Sequence, residues 1–117
     1  MSLAYGQGRN LQYGIIDISA TGDTTLVAAA PGKKIKIVSL YVTISSNIDL
    51  VLKSGANPIS GLLSLSNTAT SVLKLLGSPT SHVLETEINE ALVLNTSTSS
   101  RIGGHFSYFL EGNVSYL

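Results

Sequence analysis

The 117 residues contain no cysteine and no tryptophan, and only 12% of them are charged. Each shortage excludes something. Without cysteine, folding cannot depend on oxidation, so both a reducing and an oxidising compartment stay open. Without tryptophan, and with only five Tyr and two Phe, aromatic platforms for sugar binding are scarce. Seven Lys and Arg balance seven Asp and Glu, so the bulk field that draws proteins onto nucleic acid or anionic membrane is missing. Neither is expected as a partner. No run reaches the roughly eighteen uninterrupted apolar residues of a membrane span. The opening MSLAYGQGRNLQYG lacks a charged region followed by an apolar one, so no secretory address is expected. The sequons at Asn95 and Asn113 are then chance matches.

What the chain does contain is apolar. Its mean hydropathy is +0.32, and zero net charge combined with excess apolar content favours association. Part of the apolar surface is therefore expected to be covered by another subunit or a partner. A chain of this length makes one domain and buries roughly two-thirds of the surface its unfolded form exposes.

The apolar residues recur with a period of two. In NIDLVLKSG, Ile48, Leu50 and Leu52 share one face while Asp49 and Lys53 take the other; in EALVLNTS, Leu92 and Leu94 oppose Val93 and Asn95. In HFSYFLE, Phe106, Tyr108 and Leu110 line one face, with His105, Ser107, Phe109 and Glu111 opposite. Further strands are expected over 13–19, 24–29, 34–45, 59–65 and 83–86, each bounded by Gly, Pro, Asn or Asp. Along KIKIVSLYVTI the apolar parity shifts between Ile37 and Leu40, so this strand either carries a bulge near Val38 or is covered on both sides. The run TSVLKLLG fits a helical turn as well as a strand; Gly77 and Pro79 close it, and it is read as strand. Eight or nine short strands with no helix long enough to pack a sheet face predict an all-β antiparallel sandwich, with jelly roll the leading topology. Residues 1–12 read as a flexible arm and 13–117 as a single sandwich domain with an apolar tail.

Chemistry is sparse. No G-x-S-x-G elbow marks any serine as a nucleophile. Glu85 and Glu87 would share a strand face about 7 Å apart, a separation some glycosidases use, yet solvated charges at a strand end are the simpler reading. His82 on the same strand would point to the opposite face, and His105 is far away, so no metal or cofactor site is expected. The reading is of a protein that is not an enzyme. Candidate contact residues are of three kinds. Lys33, Lys34 and Lys36 make the main basic concentration, which either solubilises a strand start or meets a partner. Phe109 on a polar strand face, and Tyr116 and Leu117 in the tail, are apolar groups in need of cover. In the arm, Tyr5 and Leu11 are anchors and Arg9 a polar contact, with Gly6 and Gly8 supplying flexibility.

Taken in order, TLVAAAPGKKIKIVSLYV, LVLKSGANPISG, HVLETEINEALVLNTS and IGGHFSYFLE resemble a group of small virion proteins of tailed bacteriophages, over roughly Asp17 to Glu111. The resemblance implies a jelly-roll or similar sandwich, usually a homotrimer. Such a protein decorates and stabilises the outside of the capsid, with the major capsid protein or another virion protein as partner. It would be made in the host cytoplasm and work on the virion surface. The alternative is a receptor- or carbohydrate-binding module of a head or tail fibre; a small hydrolase is a distant third.

Overall fold

The computed structural model describes residues 10–66, 72–78 and 80–112. Ten strands run β1 (Gln12–Ile18), β2 (Gly22–Val27), β3 (Lys33–Ile44), β4 (Ile48–Ser54), β5 (Asn57–Pro58), β6 (Leu63–Leu65), β7 (Val72–Leu76), β8 (Leu84–Glu85), β9 (Leu92–Thr96) and β10 (Ile102–Gly112). They form two antiparallel sheets. The first has the order β1-β10-β3-β7, with β8 following β7 along the same edge of β3; the second has the order β2-β9-β4, with β5 and β6 both on the far side of β4. Setting aside the two-residue strands β5 and β8, the orders are 1-10-3-7 and 2-9-4-6. Early and late strands interleave in each sheet, which is the jelly-roll order.

The alternation expected from the sequence is what closes the sandwich. Ile16, Ile18, Ile35, Ile37, Leu40, Val42, Ile102 and Phe106 from the first sheet meet Ile48, Leu50, Leu52, Leu65, Leu92 and Leu94 from the second in one buried cluster. Fully burying a side chain of this size contributes about 1.5–3 kcal/mol, so the facing rows dominate the stability. The parity shift in β3 is resolved as a bulge. Ser107 pairs with Ser39 but Tyr108 pairs with Ile37, which leaves Val38 as the extra residue. Ile35 and Ile37 before it, and Leu40 and Val42 after it, can therefore all face the core.

One expected strand is cut to less than half its length. The strand expected over 59–65 survives only as Leu63–Leu65. Upstream of it, Leu52 donates its N–H to the Ser60 hydroxyl at 2.9 Å, and its carbonyl accepts from Ile59 and Ser60. A serine side chain thus takes the place of a ladder carbonyl. The ambiguous VLKLL is a strand, with Leu73 and Leu75 packed against the core. At the entry to β3, Ala30–Lys33 form a turn closed by Lys33 N–H to Ala30 C=O at 3.0 Å, with Pro31 second and Gly32 third at φ +73°. That φ is why glycine stands there. No helix among the described residues is long and apolar enough to cross a membrane.

Candidate interaction surface

The outward faces of the two sheets differ in kind. On the second sheet, Asp23 of β2 accepts from Asn95 Nδ2 of β9 at 2.7 Å and from Lys53 Nζ of β4 at 3.0 Å. These contacts, the Asn95 bond foremost, hold the Asp23 carboxyl below its ordinary range. Asp23, Thr25, Asp49, Lys53, Ser64 and Asn95 share this face with the half-buried Val51 and the buried Val93, and no large apolar side chain of its strands is exposed.

On the first sheet, cross-strand pairing lays down three outward rows. They read Asp17, Gly103, Thr43, Val72; then Ile15, His105, Tyr41, Lys74; then Tyr13, Ser107, Ser39, Leu76. Tyr13 is 74% exposed, Ile15 83%, Leu76 73% and Val72 38%. Four of the five large apolar side chains exposed among the described residues therefore lie on one face, the fifth being Leu62 in the β5–β6 connection. Scattered exposed apolar groups are ordinary, but a set on one face makes that face the candidate for contact. Between the two apolar edges runs a quieter strip. The Tyr41 and His105 rings stack with centroids 5.2 Å apart, and the Ser39 and Ser107 hydroxyls meet at 2.6 Å.

Further along the same face lies a charged cluster. Lys34 Nζ donates to Glu85 Oε2 at 3.1 Å, Lys36 Nζ lies 3.8 Å from Glu85 Oε1 and pairs with Glu111, and His82 Nε2 sits 2.9 Å from Glu85 Oε1. The expectation for His82 was wrong. Ser78 and Ser81 form a tight bridge and β8 begins only at Leu84, so residues 81–83 do not alternate as a strand and the imidazole reaches Glu85. Lys34 and Lys36 are likewise committed within the chain, while Lys33 is exposed.

The Lys34 hydrogen bond pulls the Glu85 carboxyl below its ordinary 4.5, and Glu85 in turn raises Lys34 above its ordinary 10.5. A carboxyl lowered on folding stabilises above its unfolded pKa and loses that stability as pH falls through its folded one. A raised lysine contributes below its unfolded pKa and loses its contribution as pH climbs through the folded value. Both act together from about pH 5 to 10. Melting temperature should fall slightly on acidification below pH 4.5, and Glu85→Gln should flatten the part of that fall due to this pair; an unchanged slope in the variant would remove Glu85 as its source. The effect is small because the paired side chains are about a third exposed.

Phe109 requires a correction. It lies on the outward parity, paired with Lys36, as the alternation says, but its exposure is 0%. The ring is covered within the chain and does not await another subunit. Leu11 is half-buried just before β1. Tyr5, Arg9, Tyr116 and Leu117 lie outside the described residues. The exposed set Tyr13, Ile15, Val72 and Leu76 was missed, although the signal was available. In QYGIIDI, Ile16 and Ile18 claim one parity and leave Tyr13 and Ile15 with Asp17 on the other. In VLKLL, Val72 and Leu76 share their parity with Lys74. Among the described residues, no cluster of three or more His, Asp or Glu is placed to hold a metal ion.

No protein-family model matches the chain, and no curated protein does. Among solved structures it is similar to the virus-like particle of the extra small virus of the giant freshwater prawn Macrobrachium rosenbergii, determined by cryo-electron microscopy. The identity is 12% over 91% of this chain and 80% of that chain, with a TM-score of 0.47. The jelly-roll order is read from the strand pairing of the chain itself and is independent of that likeness.

Proposed function

We propose that this chain is a structural subunit of a virus particle, a trimeric decoration protein on the outside of a tailed-bacteriophage capsid, working through buried contact area and not through turnover. The observation that carries the reading is the unequal dressing of the two sheets: no strand of the second exposes a large apolar side chain, whereas four such side chains are exposed on the first. Jelly-roll order is compatible with many roles, so the fold by itself decides nothing. The resemblance of the strand and turn segments to phage virion proteins supplies the particle. An apolar face on a small domain of zero net charge supplies the means of assembly.

The test is co-sedimentation of the purified chain with capsid shells, together with its location in a map of the intact particle. Binding in stoichiometric amounts is expected. A chain that stays in the supernatant and is absent from the particle would remove the reading. One observation favours a second reading, a carbohydrate-binding module: the exposed Tyr13 ring lies on the same face as the Tyr41 and His105 stack. A glycan array separates the two, since a decoration protein leaves it blank.

A further inference from the structure

The apolar groups on the outward face of the first sheet fall into two strips of different chemistry. One, on β1, carries Tyr13, Ile15 and Asp17; the other, on β7, carries Val72, Lys74 and Leu76. Three strand spacings, about 14 Å, separate them. The hydroxyl and ring pairs of β10 and β3 fill the gap. Each strip has two apolar side chains and one charge, and the charges are opposite. Asp17 is paired with Arg101 at 2.9 Å, but both side chains are more than half exposed, and a pair of that kind contributes little and exchanges partners readily.

We infer that the β1 strip of one copy seats on the β7 strip of a second copy of this chain. This rests on the structural-subunit reading and supplies its contact. Sliding one strip past the other by one row, about 7 Å, sets Ile15 on Leu76 and Asp17 beside Lys74. An apolar contact and an ion pair then form in the same register. Other occupants fit less well. Nucleic acid would need a positive surplus that a chain with seven bases and seven acids lacks. A polysaccharide would need a row of exposed rings, and among the described residues the exposed rings are Tyr13 and His105, the second already stacked on Tyr41. A second copy, in contrast, brings both halves of the complement, and zero net charge sets no repulsion against it.

Because the two strips differ, contact between them is heterologous and closes into a ring when the rotation allows. The test uses the full chain and two variants, Ile15→Lys and Leu76→Glu, followed by sedimentation velocity across micromolar concentrations. Far-UV circular dichroism and melting serve as folding controls, since both positions are exposed. The wild type should be oligomeric. Each variant alone should be folded and associate about tenfold or more weakly. Mixing equal amounts should recover association, because the intact β7 strip of the I15K copy still fits the intact β1 strip of the L76E copy. A monomeric wild type, single variants that assemble unimpaired, or a mixture that gains nothing would each overturn the inference; the last would mean that like strips meet or that another surface is used. Shell co-sedimentation of the wild type and of I15K separates the two readings. A wild type that binds shells without self-associating leaves the virion role standing and removes this contact, and a self-associating wild type that ignores shells does the reverse.

Discussion

Gly104→Ala should be among the most destabilising single substitutions in the protein, costing about 3 kcal/mol or more, the upper end of what overpacking does. Gly104 is the third residue of β10 and lies between Ile16 of β1 and Val42 of β3. A Cβ there would run into the Tyr41 carbonyl, standing 2.9 Å from its carbon and 3.0 Å from Val42 Cα. Those atoms are backbone and cannot rotate away. Relief requires moving β10 off β3, the two longest strands of the sandwich, and total stability for a domain of this size is only about 5–15 kcal/mol. The neighbouring glycine is the control. At Gly103 the nearest atom to a Cβ is Thr43 Oγ1 at 3.8 Å, an ordinary contact. Gly103→Ala should be neutral or stabilise by about 0.5–1 kcal/mol, since glycine inside a strand carries excess unfolded-state freedom. Urea melts of the pair settle it: equal effects at the two positions would mean that the approach of β3 to Gly104 is not the constraint.

Neither glycine's role is legible in the sequence, where the two stand side by side in RIGGHF. The difference depends on how closely β3 passes on one side of the strand, and β3 lies some sixty residues away in the chain. The strands themselves were legible because they obey a local rule: one buried face demands a period of two, and Gly, Pro, Asn and Asp end each run. The bulge was legible only as one of two alternatives, since the shift from Ile35 and Ile37 to Leu40 and Val42 needs either a bulge or cover on both faces, and the pairing with β10 decides between them. What could not be read was cover on the second face. Alternation put Phe109 outside the core correctly, yet whether an outward ring meets water or the rest of the chain depends on what packs there. The same limit hid the exposed apolar set. Tyr13, Ile15, Val72 and Leu76 lie on three rungs, in two strands far apart in the chain, and only the order β1-β10-β3-β7 places them on one face.

That distinction between buried faces has a measurable form in the two phenylalanines. Phe109→Ala should cost about 3 kcal/mol, the low end for a buried Phe, because its ring lies outside the central cluster and neighbouring chain can close over the gap. Phe106→Ala should cost about 3–5 kcal/mol and approach the upper figure. Its ring stacks on Tyr108 at a centroid distance of 5.5 Å and lies directly over Gly14 of β1. A residue without a side chain cannot fill the space the ring vacates, so the cavity persists and its full cost is felt. The same geometry predicts a reversal of sign at Gly14. A Cβ on Gly14 would stand 2.5 Å from Phe106 Cε1 and 3.0 Å from Cε2. In the wild-type background, Gly14→Ala should therefore destabilise by about 1–3 kcal/mol through overpacking. In the Phe106→Ala background the new methyl enters the empty volume, and the substitution should be neutral or stabilising. The double-mutant cycle should then give a coupling of about 1–3 kcal/mol, as expected for residues sharing one cavity. Additive costs within about 0.5 kcal/mol would show that the ring moves aside freely, and that β1 is held to β10 by its backbone ladder and not by the packing of Phe106 on Gly14.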